Sequence, residues 1–239
     1  MNGTEAVLTG ERIRNNSYVG RGIVTGLSAD GRYAAAAYFI MGRSENSRNR
    51  IFIPDGGDLK ILPYDESKVK DPSLIIYYPV RECGDSLVVT NGDQTDTIAE
   101  YLKSGRTFEQ ALETRTFEPD APNFTPRISA VLDFAGGSFG YRMSILKCAD
   151  GKGEACNRFT FAYTPVAGIG HFIHTYVSDG NPLPSFEGEP ERVLIPGDPD
   201  AMAEDLWENL NEDNKISLYV RYTDLTDLST RTRIINKWG

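Results

Sequence analysis

The sequence predicts an α+β fold built in layers, in which β-sheet makes up most of the chain and the helices are few. Segments rich in β-branched and aromatic residues, separated by Gly, Pro, Asn and Asp turn signals, recur along the chain and are typical of strands. Helical patterns occur in separate stretches, one that begins near residue 98 and one that begins near residue 198. Many strands with a few helices segregated in sequence indicate a layered α+β sandwich.

Length and composition are those of one globular domain over residues 1–239. The chain has 239 residues, its apolar content is 40%, and no linker rich in Gly, Ser or Pro divides it. No apolar run is long enough to cross a bilayer, so we expect no membrane partner. The first residues, Met-Asn-Gly-Thr-Glu-Ala, lack the basic and apolar segments of a signal peptide, which predicts a cytoplasmic protein.

The net charge of −9 disfavours a nucleic-acid surface, so nucleic acid is not an expected partner. An anionic small molecule would need a local group of arginines to overcome this negative field. The first half of the chain supplies such a group, namely Arg43, Arg48, Arg50, Arg81 and Arg127. Any one of these arginines taken alone is also explained as a solvated surface charge.

The cysteines and histidines do not form a metal-binding pattern. Cys83, Cys148 and Cys156 include no Cys-x-x-Cys pair, and free thiols are favoured over a disulfide in a cytoplasmic chain. His171 and His174 lie three positions apart on a predicted strand, so they point to opposite faces. We therefore expect no metal site.

In the first half, strands are predicted at 18–27, 32–41, 51–54, 58–63 and 73–80. The first two are joined by the turn Ser28–Gly31, where glycine tolerates the positive φ of a tight hairpin. The polar segment 42–50 carries three arginines and leads into a strand. Guanidinium groups in such a loop could hold a phosphate through paired hydrogen bonds. A flexible, solvated connection is the competing interpretation.

The rest of the chain is organised around residues 84–98. A β-branched strand at 87–90 leads into Asn91-Gly92, then into a crowd of small polar residues, and then into a helix from Ile98 to Lys103. This order delivers polar groups onto a helix N-terminus, where free backbone N–H groups favour an anion. An ordinary turn followed by a capped helix explains the same residues.

Three prolines in the segment 117–128 fix an extended path and make a rigid loop. This loop carries Glu118, Asp120, Asn123 and Arg127. Rigid loops on a scaffold are frequent places for binding groups, although a plain structural crossover is the competing interpretation.

Two further helices have recognisable starts. Thr107–Gln110 has the form of a capping box, and Asp198-Pro199 combines an N-cap with a proline in the first helical position. In the helix that follows Pro199, Met202, Leu206 and Leu210 form one apolar stripe.

The second half contains another rigid, proline-rich loop at 181–190 and several more predicted strands. These strands are 128–134, 138–147, 158–164, 170–177, 215–222 and 230–235. Alternation in the segment 215–222 places Ile216, Leu218, Val220 and Tyr222 on one inward face.

Two stretches taken together, Asn91-Gly-Asp-Gln-Thr-Asp-Thr-Ile98 and Asn123-Phe-Thr-Pro-Arg-Ile128, resemble the IMP cyclohydrolase family known from archaea. The likeness covers most of the chain, since it extends to Gly20–Gly22, 43–50, Ile76–Arg81, His171–Tyr176 and Pro184–Pro190. Residues 147–157 look like a longer hairpin than the archaeal pattern has, which bears on oligomer geometry more than on chemistry.

The resemblance implies a four-layer αββα sandwich similar to that of the N-terminal-nucleophile hydrolases, without their processed nucleophile. It implies closure of the purine ring of 5-formamidoimidazole-4-carboxamide ribotide to give inosine monophosphate and water, the last step of purine synthesis. It also implies that neither a metal nor an organic cofactor is needed. We expect this small nucleotide as the partner, and we expect the chain to form a homo-oligomer.

By match to the family, the candidate catalytic residues are Arg43, Tyr77 and Glu118. Arg43 and Tyr77 would lie beside the reacting formamide and carboxamide, and Glu118 would orient or deprotonate the carboxamide. The candidate substrate-binding residues come from the arginine loop, the helix N-terminus and the proline-rich loop: Arg50, Asn91, Gly92, Asp93, Thr95, Asp96, Thr97, Asn123, Thr125 and Arg127.

Two other functions fit the same sequence. An amide hydrolase on the same sandwich would need a nucleophile at a newly exposed N-terminus, and Met1-Asn2-Gly3 offers no obvious Ser, Thr or Cys. A non-catalytic module would bind purine nucleotides tightly without closing the ring.

Overall fold

Two β-sheets packed face to face form the centre of the fold, and helices cover the outer side of each sheet. The computed structural model describes residues 5–69 and 76–238, and within these ranges each sheet has seven strands. In chain order the strands are β1 (Val7–Leu8), β2 (Arg21–Leu27), β3 (Tyr33–Met41), β4 (Ile51–Asp55), β5 (Asp58–Leu62), β6 (Val80–Cys83), β7 (Ser86–Thr90), β8 (Arg127–Asp133), β9 (Gly140–Cys148), β10 (Cys156–Tyr163), β11 (Ile169–His174), β12 (Glu191–Leu194), β13 (Lys215–Asp224) and β14 (Thr230–Asn236).

The sheets are almost entirely antiparallel. The first has the strand order β1-β12-β11-β2-β3-β13-β14, and the second has the order β10-β9-β8-β7-β6-β5-β4. The one parallel pair among these neighbours is β1 with β12. Every pair of neighbouring strands in the second sheet, as described, is also consecutive in sequence.

Three of the five α-helices in the described ranges begin at a residue whose side chain caps the helix. The five helices are α1 (Thr9–Ile13), α2 (Glu45–Arg48), α3 (Gln94–Lys103), α4 (Phe108–Glu113) and α5 (Pro199–Asn209). Thr107 and Gln110 form the predicted capping box of α4. Asp198 accepts hydrogen bonds from the N–H groups of Asp200 and Ala201, each at 2.9 Å, so the predicted start of α5 is also confirmed.

Alternate residues of β3 face two different cores, as the period of a strand requires. Ala36 and Tyr38 lie in the cluster between the sheets, together with Val89 of the second sheet. Ala37, on the other side of the strand, packs in the cluster that includes Leu206 of α5. A third cluster lies between the second sheet and helices α3 and α4. The layers therefore run helix, sheet, sheet, helix, which confirms the predicted α+β sandwich and its four layers.

Helical turns begin earlier than the sequence analysis predicted in both polar segments. Within 42–50, the Ser44 and Ser47 side chains each accept a hydrogen bond from the other's N–H, so α2 forms where a loop was predicted. Helix α3 starts at Gln94 rather than at Ile98. Part of the predicted polar loop is thus the first turn of the helix.

Three short elements, β1, α1 and β12, were not predicted. Val7 pairs with Val193 and Leu8 pairs with Leu194, so these two strands depend on a contact between distant parts of the chain. Strands this short carry no periodic pattern of their own.

The predicted inward face of the segment 215–222 is wrong at one position. Leu218, Val220 and Tyr222 face the helix side, whereas Ile216 lies in the cluster between the sheets. The pairing of β13 with β3 shifts register between Lys215 and Ser217. Such a bulge inserts one extra residue and moves Ile216 to the opposite face.

The predicted strand 73–80 is wrong over 76–79, where the described residues are not in a strand. Residues 73–75 lie outside the described residues, and within 76–80 the strand β6 begins at Val80. Pro79 precedes it and has no N–H to donate to a neighbouring strand.

Two further predictions concern the chain as a whole. No helix in the described ranges is both long and apolar enough to span a bilayer. Residues 1–3, where an N-terminal nucleophile would stand, lie outside the described residues.

Candidate functional site

A cavity of about 330 Å³ opens where the first residue of β2 and the residue just before β4 meet the proline-rich loop. We call it the inner cavity. It is lined by two arginines, by polar residues of α2 and its cap, and by three consecutive loop residues: Arg21, Ser44, Asn46, Ser47, Arg50, Glu118, Pro119 and Asp120.

Two guanidinium groups meet in the inner cavity. Arg50 is 2% exposed, and its Nε donates to the carbonyl of Ser47 at 2.8 Å. The Nε of Arg21 is buried and has no hydrogen-bond partner among the described residues. Burial and the charge of Arg21 lower the pKa of Arg50, yet arginine stays charged at any physiological pH. The cavity therefore holds two positive charges, one of them almost fully buried, which favours an anionic or oxygen-rich ligand.

Glu118 places a carboxyl group in the same cavity. Its backbone N–H donates to the carbonyl of Thr125 at 2.9 Å, which fixes its position in the loop. Burial raises the pKa of Glu118 above its ordinary value, although Arg21 and Arg127 act in the opposite direction. A carboxyl group with a raised pKa can take up and release a proton closer to neutral pH.

Two tyrosines lie within the electrostatic reach of these arginines. The hydroxyl groups of Tyr77 and Tyr38 are 3.1 Å apart, and the two side chains are 8% and 0% exposed. Burial raises the pKa of both phenols, whereas Arg21 and Arg50 favour their ionised forms. Tyr77 is therefore a neutral hydroxyl group close to the inner cavity.

The proline-rich loop is held by its own polar side chains. The carboxylate of Asp120 accepts from the N–H of Thr125 at 2.6 Å and from its hydroxyl group. The Thr125 hydroxyl also lies 2.5 Å from the hydroxyl of Tyr176, and the side-chain oxygen of Asn123 accepts from the N–H of Leu183 at 3.1 Å. These bonds make the loop rigid, as predicted, and occupy Thr125 and Asn123.

The polar residues at the start of α3 are similarly engaged by hydrogen bonds within the protein. Asn91 is 1% exposed; its amide donates to the Pro126 carbonyl at 2.8 Å and its oxygen accepts from the N–H of Ile128 at 2.9 Å. The hydroxyl of Thr95 lies 2.6 Å from that of Thr90. These side chains join the helix N-terminus to the proline-rich loop.

A second cavity of about 420 Å³ shares one lining residue, Pro119, with the inner cavity. We call it the outer cavity. Its walls combine three basic side chains with two phenylalanines, and the lining residues are Thr114, Arg115, Thr116, Phe117, Pro119, Phe124, Arg127, Lys152 and Gly153.

Asp93 holds two of the arginines of the outer cavity. Its carboxylate oxygens lie 2.5 Å from Arg115 and 2.6 Å from Arg127. Burial acts to raise the pKa of Asp93, but the hydrogen bond from Arg115 and the charge of Arg127 lower it overall. Arg127 also donates to the side-chain oxygen of Gln94 at 2.6 Å. One carboxylate thus faces two guanidinium groups, and the exposed Lys152 adds another positive charge.

Gly92 is required by this arrangement. A Cβ atom at this position would lie 2.5 Å from Nη1 of Arg127 and 2.6 Å from the side-chain oxygen of Gln94. Any larger residue would displace the guanidinium from its place in the wall.

Of the thirteen predicted site residues, only Arg50, Glu118 and Arg127 line either cavity, and the other ten do not. Arg43 follows β3 beside Ser44, but its guanidinium donates to Asp179 at 2.5 Å and to the carbonyl of Gly180 at 2.9 Å. Asp96 accepts from Nε of Arg81 at 2.8 Å. Thr97 is a partly exposed residue of α3.

Sequence reasoning did not select Arg21, Arg115 or Lys152. The signal for Arg21 was its position between two glycines, because Gly20 has φ of +78° and a Cβ at Gly22 would lie 2.3 Å from Phe39. An arginine set in such a crowded strand start is not an ordinary surface residue.

The described residues include no group of three or more His, Cys, Asp or Glu side chains arranged to hold a metal ion. His171 contacts Tyr141 between the sheets, with 2.7 Å between its Nδ1 and the hydroxyl group. His174 stacks on Phe172 on the helix side of β11. The two histidines therefore face opposite sides, as predicted.

Comparison with known proteins connects this site to one family. A family model described as IMP cyclohydrolase-like protein matches residues 18–227, which include every residue that lines the two cavities. Relatives named IMP cyclohydrolase include that of Methanopyrus kandleri, 38% identical over 120 residues that make up 48% of this chain and 59% of the relative. The IMP cyclohydrolase of Methanococcus maripaludis strain C6 is 35% identical over 59% of this chain and 76% of the relative. The IMP cyclohydrolase of Methanocaldococcus jannaschii is 31% identical over 57% of this chain and 70% of the relative.

The aligned region thus spans about three-fifths of the length of the Methanopyrus relative. The family model covers far more than half of this chain. The chain belongs to the family of IMP cyclohydrolase-like proteins.

Proposed function

We propose that this chain is an IMP cyclohydrolase that closes the ring of 5-formamidoimidazole-4-carboxamide ribotide to give inosine monophosphate and water. The observation that carries the proposal is the meeting of Arg21, Arg50 and Glu118 in one cavity. Family membership supports it, since archaeal relatives bear this name.

The reaction needs two proton movements, and Glu118 is suited to both. The carboxamide nitrogen bonds to the formyl carbon and gives up a proton, while the formyl oxygen gains one. The resulting hydroxyl group then leaves as water, and the formamide nitrogen loses its proton as the ring double bond forms. A carboxyl group with a raised pKa can accept a proton in one step and return it in the next.

The formyl oxygen of the substrate would be stabilised by Arg21, Arg50 and Tyr77. Negative charge develops on the formyl oxygen as the carbon–nitrogen bond forms, and fixed donors in a water-poor site stabilise it strongly. The free Nε of Arg21 is one such donor, and Tyr77 can supply a hydroxyl hydrogen. Holding the two substrate groups in contact supplies a further part of the rate.

We place the phosphate in the outer cavity, at Arg115, Arg127 and Lys152. Three basic groups line this cavity and its lining includes no carboxylate, although Asp93 pairs with two of the arginines, in a chain whose net charge is −9. Guanidinium groups bind phosphate oxygens in pairs, and lysine adds a point charge. The substrate would then extend across Pro119, with its reacting groups in the inner cavity.

The other candidate residues would serve this site less directly. Asn91, Thr95, Asn123 and Thr125 would keep the walls rigid through the bonds described above. Arg43 would act at the mouth of the inner cavity, beside Ser44. We propose further that the protein works without metal or organic cofactor, as a single domain, in the cytoplasm and as a homo-oligomer.

A spectrophotometric ring-closure assay with the formylated ribotide, without added metal, tests the function. We expect turnover that EDTA does not abolish. Loss of activity in EDTA, restored by a divalent ion, would contradict the cofactor-free mechanism. Tight binding of inosine monophosphate without any ring closure would contradict the enzyme and favour a nucleotide-binding module.

A further inference from the structure

Cys148 and Cys156 face each other across the base of the hairpin formed by β9 and β10. The next pair along the hairpin, Ala149 and Ala155, is joined by a backbone hydrogen bond of 2.9 Å. Because hydrogen-bonded and non-hydrogen-bonded pairs alternate in an antiparallel ladder, the two cysteines form a non-hydrogen-bonded pair. Cα atoms in such pairs are about 4.5 Å apart, which lies within the range of about 4.4–6.8 Å that a disulfide needs.

Both thiols are available for reaction. They are free and partly exposed, whereas the third cysteine, Cys83, is buried. The sulfur of Cys148 lies 3.2 Å from the carboxylate of Asp150, and that of Cys156 lies 3.6 Å from the carbonyl of Asn157. Side chains of directly paired residues project from the same face of a sheet, so a change of side-chain rotamer would bring the two sulfurs together.

The hairpin tip beyond these cysteines forms part of the outer cavity. Asp150 organises the tip by accepting hydrogen bonds from the N–H groups of Lys152 and Gly153 at 3.0 Å and 3.1 Å. Lys152 and Gly153 both line the cavity. A covalent link between the two strands would therefore tie down the base of a segment that forms a cavity wall.

We propose that Cys148 and Cys156 are a redox site that forms a reversible disulfide by exchange with a small-molecule disulfide such as oxidised glutathione. One protein thiolate attacks a sulfur of the oxidant, which releases one glutathione thiol and leaves a mixed disulfide. The other protein thiolate then attacks the protein sulfur of this mixed disulfide and releases the second glutathione thiol. Two protein S–H bonds are replaced by one S–S bond, and the two electrons pass to the oxidant.

Equilibration of the full chain in glutathione redox buffers, followed by alkylation, intact-mass analysis and peptide mapping, tests the proposal. We expect the loss of two hydrogens, a peptide pair linked through Cys148 and Cys156, and full reversal by dithiothreitol. The Cys83→Ser variant should behave like the wild type. The Cys148→Ser and Cys156→Ser variants should instead stop at a mixed disulfide with glutathione.

A trivalent arsenical, phenylarsine oxide, gives a second measurement that needs no oxidation, because it binds tightly only where two thiols can bridge the arsenic. We expect tight binding to the wild type and to Cys83→Ser, and at least tenfold weaker binding to either of the other variants. Separate glutathione adducts on both cysteines of the folded wild type would overturn the proposal, as would arsenical binding that does not depend on Cys148 and Cys156. Both readouts are independent of ring closure, so they stand or fall apart from the proposed activity.

Discussion

Replacing Glu118 by glutamine should remove most of the ring-closing activity without weakening the fold. The variant keeps the size of the side chain and its place beside Arg21 and Arg50, but it can no longer exchange a proton. Positioned acid–base groups contribute about 10²–10⁴-fold to rate, which corresponds to about 3–5 kcal/mol at 1.36 kcal/mol per factor of ten. We expect kcat to fall by about 10²–10⁴-fold.

The raised pKa of Glu118 sets the sign of the stability change. A carboxyl group whose pKa is raised in the folded protein binds its proton more tightly there than in the unfolded chain. Its stabilising contribution is therefore complete below its unfolded pKa and is lost as pH rises through the folded pKa. At neutral pH the ionised Glu118 therefore destabilises the folded protein, whereas a neutral glutamine does not. The melting temperature of the variant should equal or exceed that of the wild type, and the difference should shrink in acid.

Initial rates and thermal melts measured side by side, across a pH series, check both expectations. Asp120→Asn is the matched control, because Asp120 lines the same cavity but bonds to Thr125. This control should lose stability and retain more activity. A Glu118→Gln variant that stays folded with kcat within about threefold of the wild type would refute the proton-transfer role. A loss of activity that merely follows a lower melting temperature would make Glu118 a structural residue.

Three other substitutions test neighbouring parts of the site. Tyr77→Phe should lower kcat and leave the affinity for inosine monophosphate nearly intact; an unchanged kcat would assign Tyr77 to packing against Tyr38. Arg127→Lys should weaken inosine monophosphate binding about tenfold, or about 1.4 kcal/mol, measured by titration calorimetry. A large drop in melting temperature with unchanged affinity would instead make Arg127 a brace for Asp93 and Gln94. Lys152→Ala should weaken inosine monophosphate binding several-fold without changing the melting temperature. The control Lys103→Ala, on the exposed end of α3, should change neither quantity. Equal effects of the two substitutions on binding would contradict a phosphate site in the outer cavity.

Arg50 and Glu118 could be selected from the sequence because each stands in a segment with a strong local signal, the arginine loop and the proline-rich loop. Arg21 lines the same cavity, but its local signal, two flanking glycines, does not by itself indicate a binding residue. Its environment is assembled from β2, α2 and the proline-rich loop, which are far apart in sequence. No pattern along the chain records that meeting.

Sequence-based prediction can also select residues whose side chains bond within the protein, as it did for Asn91, Thr95 and Thr125. Their crowding predicted contacts with a ligand, yet the structure satisfies all three through hydrogen bonds within the protein. A helix cap, a loop brace and a binding site need the same donors and acceptors. Local composition can therefore locate the region without assigning the role of each side chain.

Most antiparallel strands and the starts of α4 and α5 were predicted more completely than the short elements. Alternation and turn residues are local features, so β2, β3, β7, β8 and β9 could be located from the sequence. The parallel pairing of β1 with β12 and the bulge at the start of β13 depend on contacts between distant segments. Such contacts produce no periodic pattern in the amino-acid sequence.

Pro119 lines both cavities, so the proposed site would select its ligand by molecular length. A ligand that extends past Pro119 would occupy both cavities, whereas a base or a nucleoside without phosphate would occupy one of them. Binding energy from the outer cavity would then help to hold the reacting groups in the inner cavity, so a shortened substrate would lose turnover as well as affinity. Such selection by length would need no group that recognises the purine ring itself.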